Sequence, residues 1–468
     1  MRTITVVVFA GTLVLAPSVK SQADLPAFAT LYRFQGGTDG FLPLSGVTIA
    51  QNEKLYGTTP AGGSASCPYF PGNKCGTAFE LSPPTTRGGA WTLTTIYNFQ
   101  GGSDAANPTG VLALGKHGDI YGTALGGSGL CTDGCGTVFR LVPPSTPVGT
   151  WTEMVLYSFQ GGTDGAFPSG GVVIGEGGRL YGTTSGGGDN NQGTVFELTP
   201  PEQPAGTVLH RFAGGAEGSN PYASVVVGAN SALYGTTYYG GTVNPACPGV
   251  SLGCGGVFEL TRPSASGGAW GYSALYQFTG GSAGSIPQGG VVIGMHGELY
   301  GTTVLGGIIS SSCALGCGTV FSLTPPASPG GLWQETVLHA FAGTPDGLGP
   351  SAGLVMNATN GMLFGTTYGG ANSACGCGTV FRLSPPPTPG LSWVELVLHS
   401  FKGPNSGAAP DVLALGKNGV LYGTTALGGG STACLPPLSR RVAQTGGSDG
   451  ANPPPDTWGC GTVYQVIL

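Results

Sequence analysis

Charged residues are scarce in this chain. Only 8% of its 468 residues are Asp, Glu, Lys or Arg, with 16 basic and 22 acidic side chains. The basic residues form no stripe, and the only adjacent basic pair is Arg440-Arg441. Binding to nucleic acid needs a concentrated positive surface, so we do not expect a nucleic-acid partner.

Long apolar runs are also missing. The longest, Ile4 to Ala16, has 13 residues, fewer than the roughly 20 that a membrane-spanning helix needs. It follows the basic Arg2 and precedes Ser21-Gln22-Ala23, which has the small-x-small pattern of a cleavage site. We therefore predict a signal peptide at residues 1–23 and a secreted mature protein, extracellular or periplasmic, with no membrane span.

The sequence also lacks recognised catalytic motifs. The sequence has no Gly-x-Ser-x-Gly elbow, no phosphate-binding loop and no zinc-protease helix. Three of its five histidines, His210, His339 and His399, replace a tyrosine in a repeated strand phrase, so we expect them to be half-buried strand residues. We predict no catalytic residue, no metal ligands and no cofactor.

What the chain does have is one phrase, Leu-Tyr-Gly-Thr-Thr or a close variant, repeated seven times at intervals of 53 to 66 residues. Each unit contains four short runs rich in Val, Thr, Tyr and Phe, bounded by Gly and Pro, which are typical of β-strands. Four strands per tandem unit indicate a β-propeller. The aromatic residues of the phrase are Tyr56, Tyr121, Tyr181, Tyr234, Tyr300, Phe364 and Tyr422.

The two ends of the chain complement each other. Leu31-Tyr32-Arg33-Phe34 resembles the run that elsewhere closes a unit, and Val463-Tyr464-Gln465-Val466 resembles the run that elsewhere precedes it. We predict an all-β, seven-bladed propeller with four-stranded antiparallel blades, in which the N-terminal strand completes the last blade. It would form a single domain over residues 24–468. An open solenoid is the alternative, but its units are usually shorter and need no complementary ends.

The cysteines follow the repeat. Six units carry two each, and the third has Asn190-Asn191-Gln192 at the same place and no cysteine. An exported protein meets an oxidising compartment, which favours disulfides; metal binding is the alternative, but the spacings are irregular and no histidine accompanies the pairs. One pair has a single intervening residue, which strains disulfide geometry. The predicted pairs are Cys67 with Cys75, Cys131 with Cys135, Cys247 with Cys254, Cys313 with Cys317, Cys375 with Cys377, and Cys434 with Cys460.

The phrases Leu-Tyr-Gly-Thr-Thr, Gly-Cys-Gly-Thr-Val-Phe and Gly-Gly-Val-Val-Ile-Gly, spaced as in this chain, resemble the GloVer tandem repeat. The resemblance covers about residues 30 to 468. That family consists of exported bacterial proteins described as choice-of-anchor tandem repeat proteins. It implies secretion, often with a C-terminal surface anchor, but this sequence ends at Ile467-Leu468 inside a predicted strand without a sorting signal. The family provides no established activity or catalytic residues.

Acidic residues occupy the turn that follows the first run of several units. Such a carboxylate usually caps N–H groups of its own turn; the alternative is a ring of ligand-binding carboxylates. The last unit breaks the pattern at Asp411 and with an insertion at 435–459 that contains Trp458, and insertions in repeat proteins often serve binding. The ligand-binding candidates are therefore Asp39, Asp104, Asp164, Glu217, Asp346, Asp411 and Trp458.

Two further sets of acidic residues are expected to be structural. Glu153, Glu335 and Glu395 each follow a tryptophan at a regular position. Glu80 and its equivalents share a strand position with Arg140 and other residues of either charge, which indicates a solvated face.

Two function classes remain open. The first is an exported, non-catalytic, monomeric scaffold or binding module for a glycan, a surface polymer or a protein. The alternative is a propeller hydrolase or lyase that acts on an extracellular carbohydrate or lactone, which would need convergent carboxylates or a bound metal on the ring axis.

Overall fold

Seven antiparallel sheets follow one another along the chain in the computed structural model. Each has four strands from the inside of the ring outwards, so the prediction of a seven-bladed propeller is confirmed. The predicted signal peptide and nearly all of the insertion lie outside the described residues. The structure describes residues 26–67, 74–127, 131, 134–146, 149–199, 206–241, 243–247, 252–265, 267–328, 330–371, 375–388, 390–430 and 459–468.

The first three blades take their strands in sequence order. In blade 2, β6 and β7 are two pieces of one interrupted inner strand, since both pair with β8. Blade 1 has β2 (Thr48–Ile49), β3 (Leu55–Thr59), β4 (Thr77–Ser82) and β5 (Thr92–Asn98); blade 2 has β6 (Ala106–Pro108), β7 (Ala113–Leu114), β8 (Ile120–Gly126), β9 (Thr137–Val142) and β10 (Thr152–Ser158); blade 3 has β11 (Val172–Ile174), β12 (Leu180–Thr184), β13 (Thr194–Leu198) and β14 (Gly206–Arg211).

The remaining blades follow the same order, except that blade 7 takes its outer strand from the start of the chain. Blade 4 has β15 (Val226–Val227), β16 (Leu233–Thr237), β17 (Gly256–Thr261) and β18 (Gly271–Gln277); blade 5 has β19 (Val292–Ile293), β20 (Leu299–Thr303), β21 (Thr319–Thr324) and β22 (Gln334–Ala340); blade 6 has β23 (Val355–Met356), β24 (Leu363–Thr367), β25 (Thr379–Ser384) and β26 (Val394–Ser400); blade 7 has β27 (Ala408–Leu415), β28 (Val420–Leu427), β29 (Thr462–Ile467) and β1 (Ala27–Arg33).

Helical structure in the described residues is limited to single 3₁₀ turns in the connections between strands. They lie at Gly37–Asp39, Gly162–Asp164, Glu176–Gly178, Gly215–Glu217, Ala229–Ser231, Gly281–Ala283 and Lys417–Gly419.

The repeated phrase forms the second strand of every blade. Its glycine leaves room for the aromatic ring of the third strand, since a methyl group on Gly57 would lie 2.5 Å from Cζ of Phe79. In five blades its second threonine bonds to the threonine that opens the third strand, as Thr59 does with Thr77 at 2.8 Å. The third-strand aromatic residues are Phe79, Phe139, Phe196, Phe258, Phe321, Phe381 and Tyr464.

Each blade joins the preceding one through a proline and a glycine. A proline before or within the inner strand packs on the glycine just before the preceding blade's third strand: a methyl group on Gly76 would lie 2.8 Å from Cδ of Pro108. Any larger residue at the glycine would separate the blades. The seven joints are Gly76–Pro108, Gly136–Pro168, Gly193–Pro221, Gly255–Pro287, Gly318–Pro350, Gly378–Pro410 and Gly461–Pro43.

A backbone hydrogen bond accompanies every one of these joints. The N–H before the proline donates to the carbonyl before the glycine, as Asn107 N does to Cys75 O at 2.8 Å. The last of the seven, Leu42 N to Cys460 O at 3.0 Å, links the two ends of the chain. Together with the antiparallel pairing of β1 with β29, it confirms the predicted ring closure.

The outer strands of neighbouring blades also pack in pairs, but here the residue types vary. A tyrosine or histidine near the end of one outer strand lies beside a residue at the start of the next outer strand. His210 stacks on Tyr272 with ring centroids 4.3 Å apart, and His399 stacks on Phe28 at 3.6 Å. Tyr157 lies against Gly206, and Tyr276 hydrogen-bonds to Glu335. In the other blades Tyr97 and His339 lie within electrostatic range of Glu153 and Glu395, and Tyr32 and Leu93 pack against the same apolar cluster.

Three of these outer pairs contain a glutamate whose Oε1 is buried. Burial, and then the charge and hydrogen bond of Asp104, raise the pKa of Glu153 to about 8. Burial raises the pKa of Glu335 to about 7, and burial together with the charge of Asp346 raises that of Glu395 to about 7. These regular glutamates therefore hold protons between blades, in keeping with the structural role expected of them.

The closing seam should be the most sensitive part of the ring, because β1 is held to β29 by non-covalent contacts alone. We expect Phe28→Ala, which removes the ring stacked on His399, to destabilise the fold by about 2 kcal/mol and to speed amide hydrogen exchange selectively in β29. Leu93→Ala, at the equivalent position of blade 1, is the control and should not affect β29 selectively. Equal protection of β29 in both variants would contradict this closure.

The buried glutamates should make stability fall with rising pH. Their pKa values are raised from 4.5 in the folded protein, so the folded state binds more protons than the unfolded chain between about pH 5 and pH 8. In that window the free energy of unfolding should decrease as pH increases.

Glu153→Gln should flatten this dependence and raise the melting temperature relative to the wild type at pH 8 more than at pH 5. Glu176→Gln removes a carboxylate with an 80% exposed side chain and serves as the control. Thermal melts across this range measure the effect, and identical slopes for the wild type and Glu153→Gln would disprove it.

Candidate functional site

One face of the ring collects the variable parts of the chain. The turn after each outer strand meets the loop between the second and third strands of the next blade, for example through Gly63 N donating to Gly37 O at 2.7 Å and Gly188 N donating to Gly162 O at 2.8 Å. We call this side the loop face and the opposite side, with the tight hairpins, the hairpin face. The acidic turns and the cysteine-bracketed loops therefore share a face.

The acidic turn residues bond to their own turns. Asp39 accepts hydrogen bonds from Gln35 N at 2.8 Å and from the Tyr32 hydroxyl at 3.0 Å. Asp104 and Asp164 repeat this arrangement with Tyr97 and Tyr157.

Two further candidates use a histidine instead of the tyrosine. Asp346 accepts from Ala342 N at 2.8 Å and lies 3.2 Å from Nε2 of His339. Glu217 accepts from Ala213 N at 3.1 Å and lies 3.5 Å from Nε2 of His210. Burial lowers the pKa of His210 despite this carboxylate. The five acidic turns sit in five different blades, so the structure does not bring these residues together.

Disulfides brace the loops of five blades, as predicted. Even Cys375 and Cys377, with one residue between them, are bonded, with Cα atoms 5.1 Å apart. The sixth predicted pair involves Cys434, which lies outside the described residues. The bridges present are Cys67–Cys75, Cys131–Cys135, Cys247–Cys254, Cys313–Cys317 and Cys375–Cys377.

The bridges also support the neighbouring turns. A methyl group on Gly101 would lie 2.7 Å from Sγ of Cys67, so the sulfur rests on the turn glycine. In the cysteine-free blade 3, the side chain of Gln192 covers Gly214 in the same way, and Oδ1 of Asn191 accepts from Gly187 N at 2.7 Å. Amide hydrogen bonds thus replace the disulfide there.

The loops of blades 4 and 5 present apolar side chains that the sequence analysis did not single out. Val243, Leu252, Ile308, Ile309 and Leu315 are between 45% and 70% exposed. The described residues of both loops, 238–241, 243–247, 252–254 and 304–317, include no charged side chain. Exposed apolar residues grouped on a loop surface often mark an interaction site.

A second set of residues lies at the inner end of the blades. The residue after the inner-strand proline is half-buried in all seven blades, although the proline itself is buried. Half-burial does not expose every polar atom, since Oγ1 of Thr109 and Oε1 of Gln288 are buried. Oγ of Ser169 donates to the carbonyl of Tyr222 at 3.0 Å, as expected for ring neighbours. This axial ring consists of Leu44, Thr109, Ser169, Tyr222, Gln288, Ser351 and Asp411.

Asp411 is the one carboxylate of the axial ring. It lies within β27, its carbonyl accepts from Oγ1 of Thr366 at 3.1 Å, and its Oδ1 accepts from Val412 N at 2.8 Å. Burial raises the pKa of its carboxyl to about 7. Burial, and then the charge of Asp411, raise the pKa of the nearby Tyr464 hydroxyl far above its usual value.

The mixed charges at the strand position of Glu80 predicted a solvent-exposed face. This prediction is wrong, because the charged residues at this position are largely buried in ion pairs. Glu197 is only 8% exposed and pairs with Arg179. Arg140 pairs with Asp119 at 2.6 Å. The partner in each case lies two residues before the phrase tyrosine, as Lys54, Asp119 and Arg179 do. Its charge is opposite to that of the strand residue in each of these blades, so either sign of charge is neutralised.

Trp458 lies outside the described residues, so the structure gives no account of it as a binding candidate. The other five tryptophans pack against the phrase aromatic residue of the preceding blade, as Trp151 does on Tyr56 with ring centroids 6.0 Å apart. Among the described residues there is no cluster of three or more His, Cys, Asp or Glu side chains that could hold a metal ion. No helix in the described ranges is long and apolar enough to cross a membrane.

Several solved structures are similar to this chain. A fungal alcohol oxidase in complex with copper is 12% identical, with 92% of this chain and 79% of that chain covered and a TM-score of 0.52. The periplasmic gluconolactonase of Pseudomonas aeruginosa is 14% identical over 74% of this chain and 84% of that chain, with a TM-score of 0.46. An ulvan lyase is 10% identical over 84% and 93%, with a TM-score of 0.45. Such low identities concern the fold alone.

Curated proteins give no significant match to this sequence. The sequence does match a family model: residues 19–247 and residues 246–434 each match the Gloeobacter/Verrucomicrobia repeat. The two matches cover most of the seven units, and they agree with the resemblance to the GloVer repeat seen in the sequence. The chain therefore belongs to the Gloeobacter/Verrucomicrobia repeat family.

Proposed function

We propose that this chain is an exported, non-catalytic binding module whose ligand, a glycan, a surface polymer or a protein, docks on the loop face. The observation that carries this proposal is the contrast between a uniform frame and variable loops. The same proline, glycine and backbone contacts join all seven blades, whereas the braced loops differ in length and composition. Variable loops on a rigid frame are the usual location of binding residues.

Disulfides support the same proposal. Loops that are already ordered lose less conformational entropy on binding, and five loops on this face are cross-linked. Disulfides also favour an oxidising compartment, which agrees with the expected signal peptide and with a secreted, monomeric protein.

The acidic turn residues stabilise their own turns more than they are available to bind a ligand. Asp39, Asp104 and Asp164 each already accept from a backbone N–H and a tyrosine hydroxyl, so a ligand would compete with the turn for them. We retain them, with Glu217, Asp346, Asp411 and Trp458, as candidate ligand contacts.

A hydrolase or lyase is the second candidate, and one observation favours it. Asp104 lies beside Glu153, whose pKa is raised to about 8, and pairs of carboxyl groups with different proton affinities are typical of glycoside hydrolysis. This pair lies between outer strands. Glu153→Gln should leave ligand binding intact if the protein is a binding module, and should abolish turnover if this pair is catalytic.

The test of the binding proposal uses the secreted, oxidised chain on a glycan array and in polysaccharide and cell-wall pull-downs. We expect at least one immobilised polymer to retain the wild type. Replacing residues 436–457 by a short Gly-Ser linker, with Cys434 and Cys460 kept, should reduce that binding at least about tenfold without lowering the melting temperature.

The control changes the hairpin face through Glu176→Gln combined with Met295→Ser, since Met295 is 61% exposed. This variant should bind as the wild type does. Binding that survives the loop replacement, but is lost in the hairpin-face variant, would place the ligand on the wrong side for the proposal. Retention of no glycan, polymer or protein at all would reject a binding function.

A further inference from the structure

Blade 4 lacks two side chains that the other six blades carry in their third and outer strands. Its third strand opens with Gly256, whereas each of the other third strands opens with threonine. Its outer strand has Ala274 opposite Phe258, where the other outer strands have a β-branched residue. These equivalents of Ala274 are Thr30, Thr95, Val155, Val208, Val337 and Val397. Two smaller residues in the same blade indicate that space is left open there.

Gly256 and Ala274 line the same cavity, which lies between β18 and the acidic turn Gly215–Glu217. Gly241 N, from the loop that also lines the cavity, donates to Gly215 O at 2.7 Å, and this contact belongs to the loop face. The empty space, counted with its opening to solvent, is about 190 Å³. Pockets that take whole small molecules usually measure about 300–1,000 Å³, so this cavity suits one projecting group of a larger ligand.

Thr237 brings a hydroxyl to this cavity, and the residue is only 2% exposed. In five blades the equivalent hydroxyl bonds to the third-strand threonine and to a carbonyl two residues later, as Thr59 does with Thr77 and Ala61. Among the residues that the structure describes, Thr237 has neither bond and no other side-chain hydrogen bond. A methyl group on Gly256 would lie 3.7 Å from Oγ1 of Thr237, so this hydroxyl borders the space that the missing threonine leaves. A hydroxyl in a buried residue is costly without a partner, and a ligand can supply one.

The group that best matches this space is a hydroxyl on a short carbon arm, because a threonine side chain supplies that group in five other blades. An alcohol can both donate and accept, so it suits the hydroxyl of Thr237 in either role. An anionic group is disfavoured, since Glu217 also lines the cavity. Tyr272 and Gln277 donate to the carbonyls of Glu217 at 2.6 Å and Ala216 at 2.8 Å, which holds the turn against β18.

We propose that this cavity binds the hydroxymethyl group of a neutral hexose. Its hydroxyl takes the place of the missing threonine hydroxyl and bonds to Oγ1 of Thr237. The exposed residues at the edge of the cavity, Ala216 and Ala274, are small, so a sugar ring can approach the opening. This proposal rests on the binding function proposed above and narrows the ligand to a glycan that contains hexoses.

The experiment titrates the full secreted, oxidised chain with two pairs of matched sugars and follows binding by saturation-transfer NMR. Methyl β-D-glucopyranoside differs from methyl β-D-xylopyranoside only in its hydroxymethyl group, as methyl β-D-galactopyranoside does from methyl α-L-arabinopyranoside. In at least one pair the hexose should bind about tenfold more tightly, because only the hexose can bond to Thr237. Equal binding within both pairs, or no binding of any of the four sugars, would overturn the proposal.

Two substitutions then locate the site. Gly256→Thr restores the threonine of the other blades and fills the cavity, although its Cβ would lie 2.7 Å from Tyr276 O and the strand must shift slightly. Thr237→Val keeps the volume and removes the hydroxyl. Both variants should lose the preference for the hexose.

Thr303→Val is the matched control, because Thr303 is the equivalent residue of blade 5 and is paired with Thr319 at 2.7 Å. It should lower the melting temperature and keep the hexose preference of the wild type. A preference that persists in Thr237→Val, or that is lost equally in Thr303→Val, would reject the cavity as the site.

The two proposals can fail separately. If polymers still bind through the loop face but neither sugar pair is discriminated, the cavity site is wrong and the binding function stands. If hexose preference depends on Thr237 but the loop replacement has no effect, the insertion is wrong as the docking surface and the cavity site stands.

Discussion

The close approach of a proline to a glycine at each blade boundary determines the rest of this architecture. With no side chain on the glycine, the inner strand of one blade can reach the third strand of the preceding one, and the backbone hydrogen bond between them can form. Seven repeats of the same contact set one angle between neighbouring blades. A ring results because that angle repeats until Pro43 meets Gly461.

Much of this fold could be predicted from the sequence because the contacts that build a blade require particular residues. The glycine under the third-strand ring admits no larger residue in any blade, and five blades also keep the paired threonines, so the phrase remains readable in every unit. Closure was also predictable, since Leu31 to Phe34 retain the outer-strand phrase. Five cysteine pairs could be assigned because they appear or vanish together.

The other contacts between blades could not be predicted from the sequence, because equivalent positions in different blades carry no common residue type. The outer-strand joint needs only complementary volume, so Gly206, Phe28 and Glu153 can all occupy equivalent positions. The axial ring is likewise defined by its place after a proline, and Leu44 and Asp411 share nothing else. The strand position of Glu80 was misjudged because its neutralising partner, Lys54 at 2.6 Å, comes from a hairpin whose composition changes between blades.

The pairing of β1 with β29 also affects the order in which the blades can form. A ribosome makes β1 first and β29 last, so the first strand waits for its partner until the entire ring has been synthesised. During that interval six blades can complete themselves from local sequence, while blade 7 has an open edge. An exposed edge can pair with another chain, so the growing chain is most prone to misassembly just before its last strand arrives.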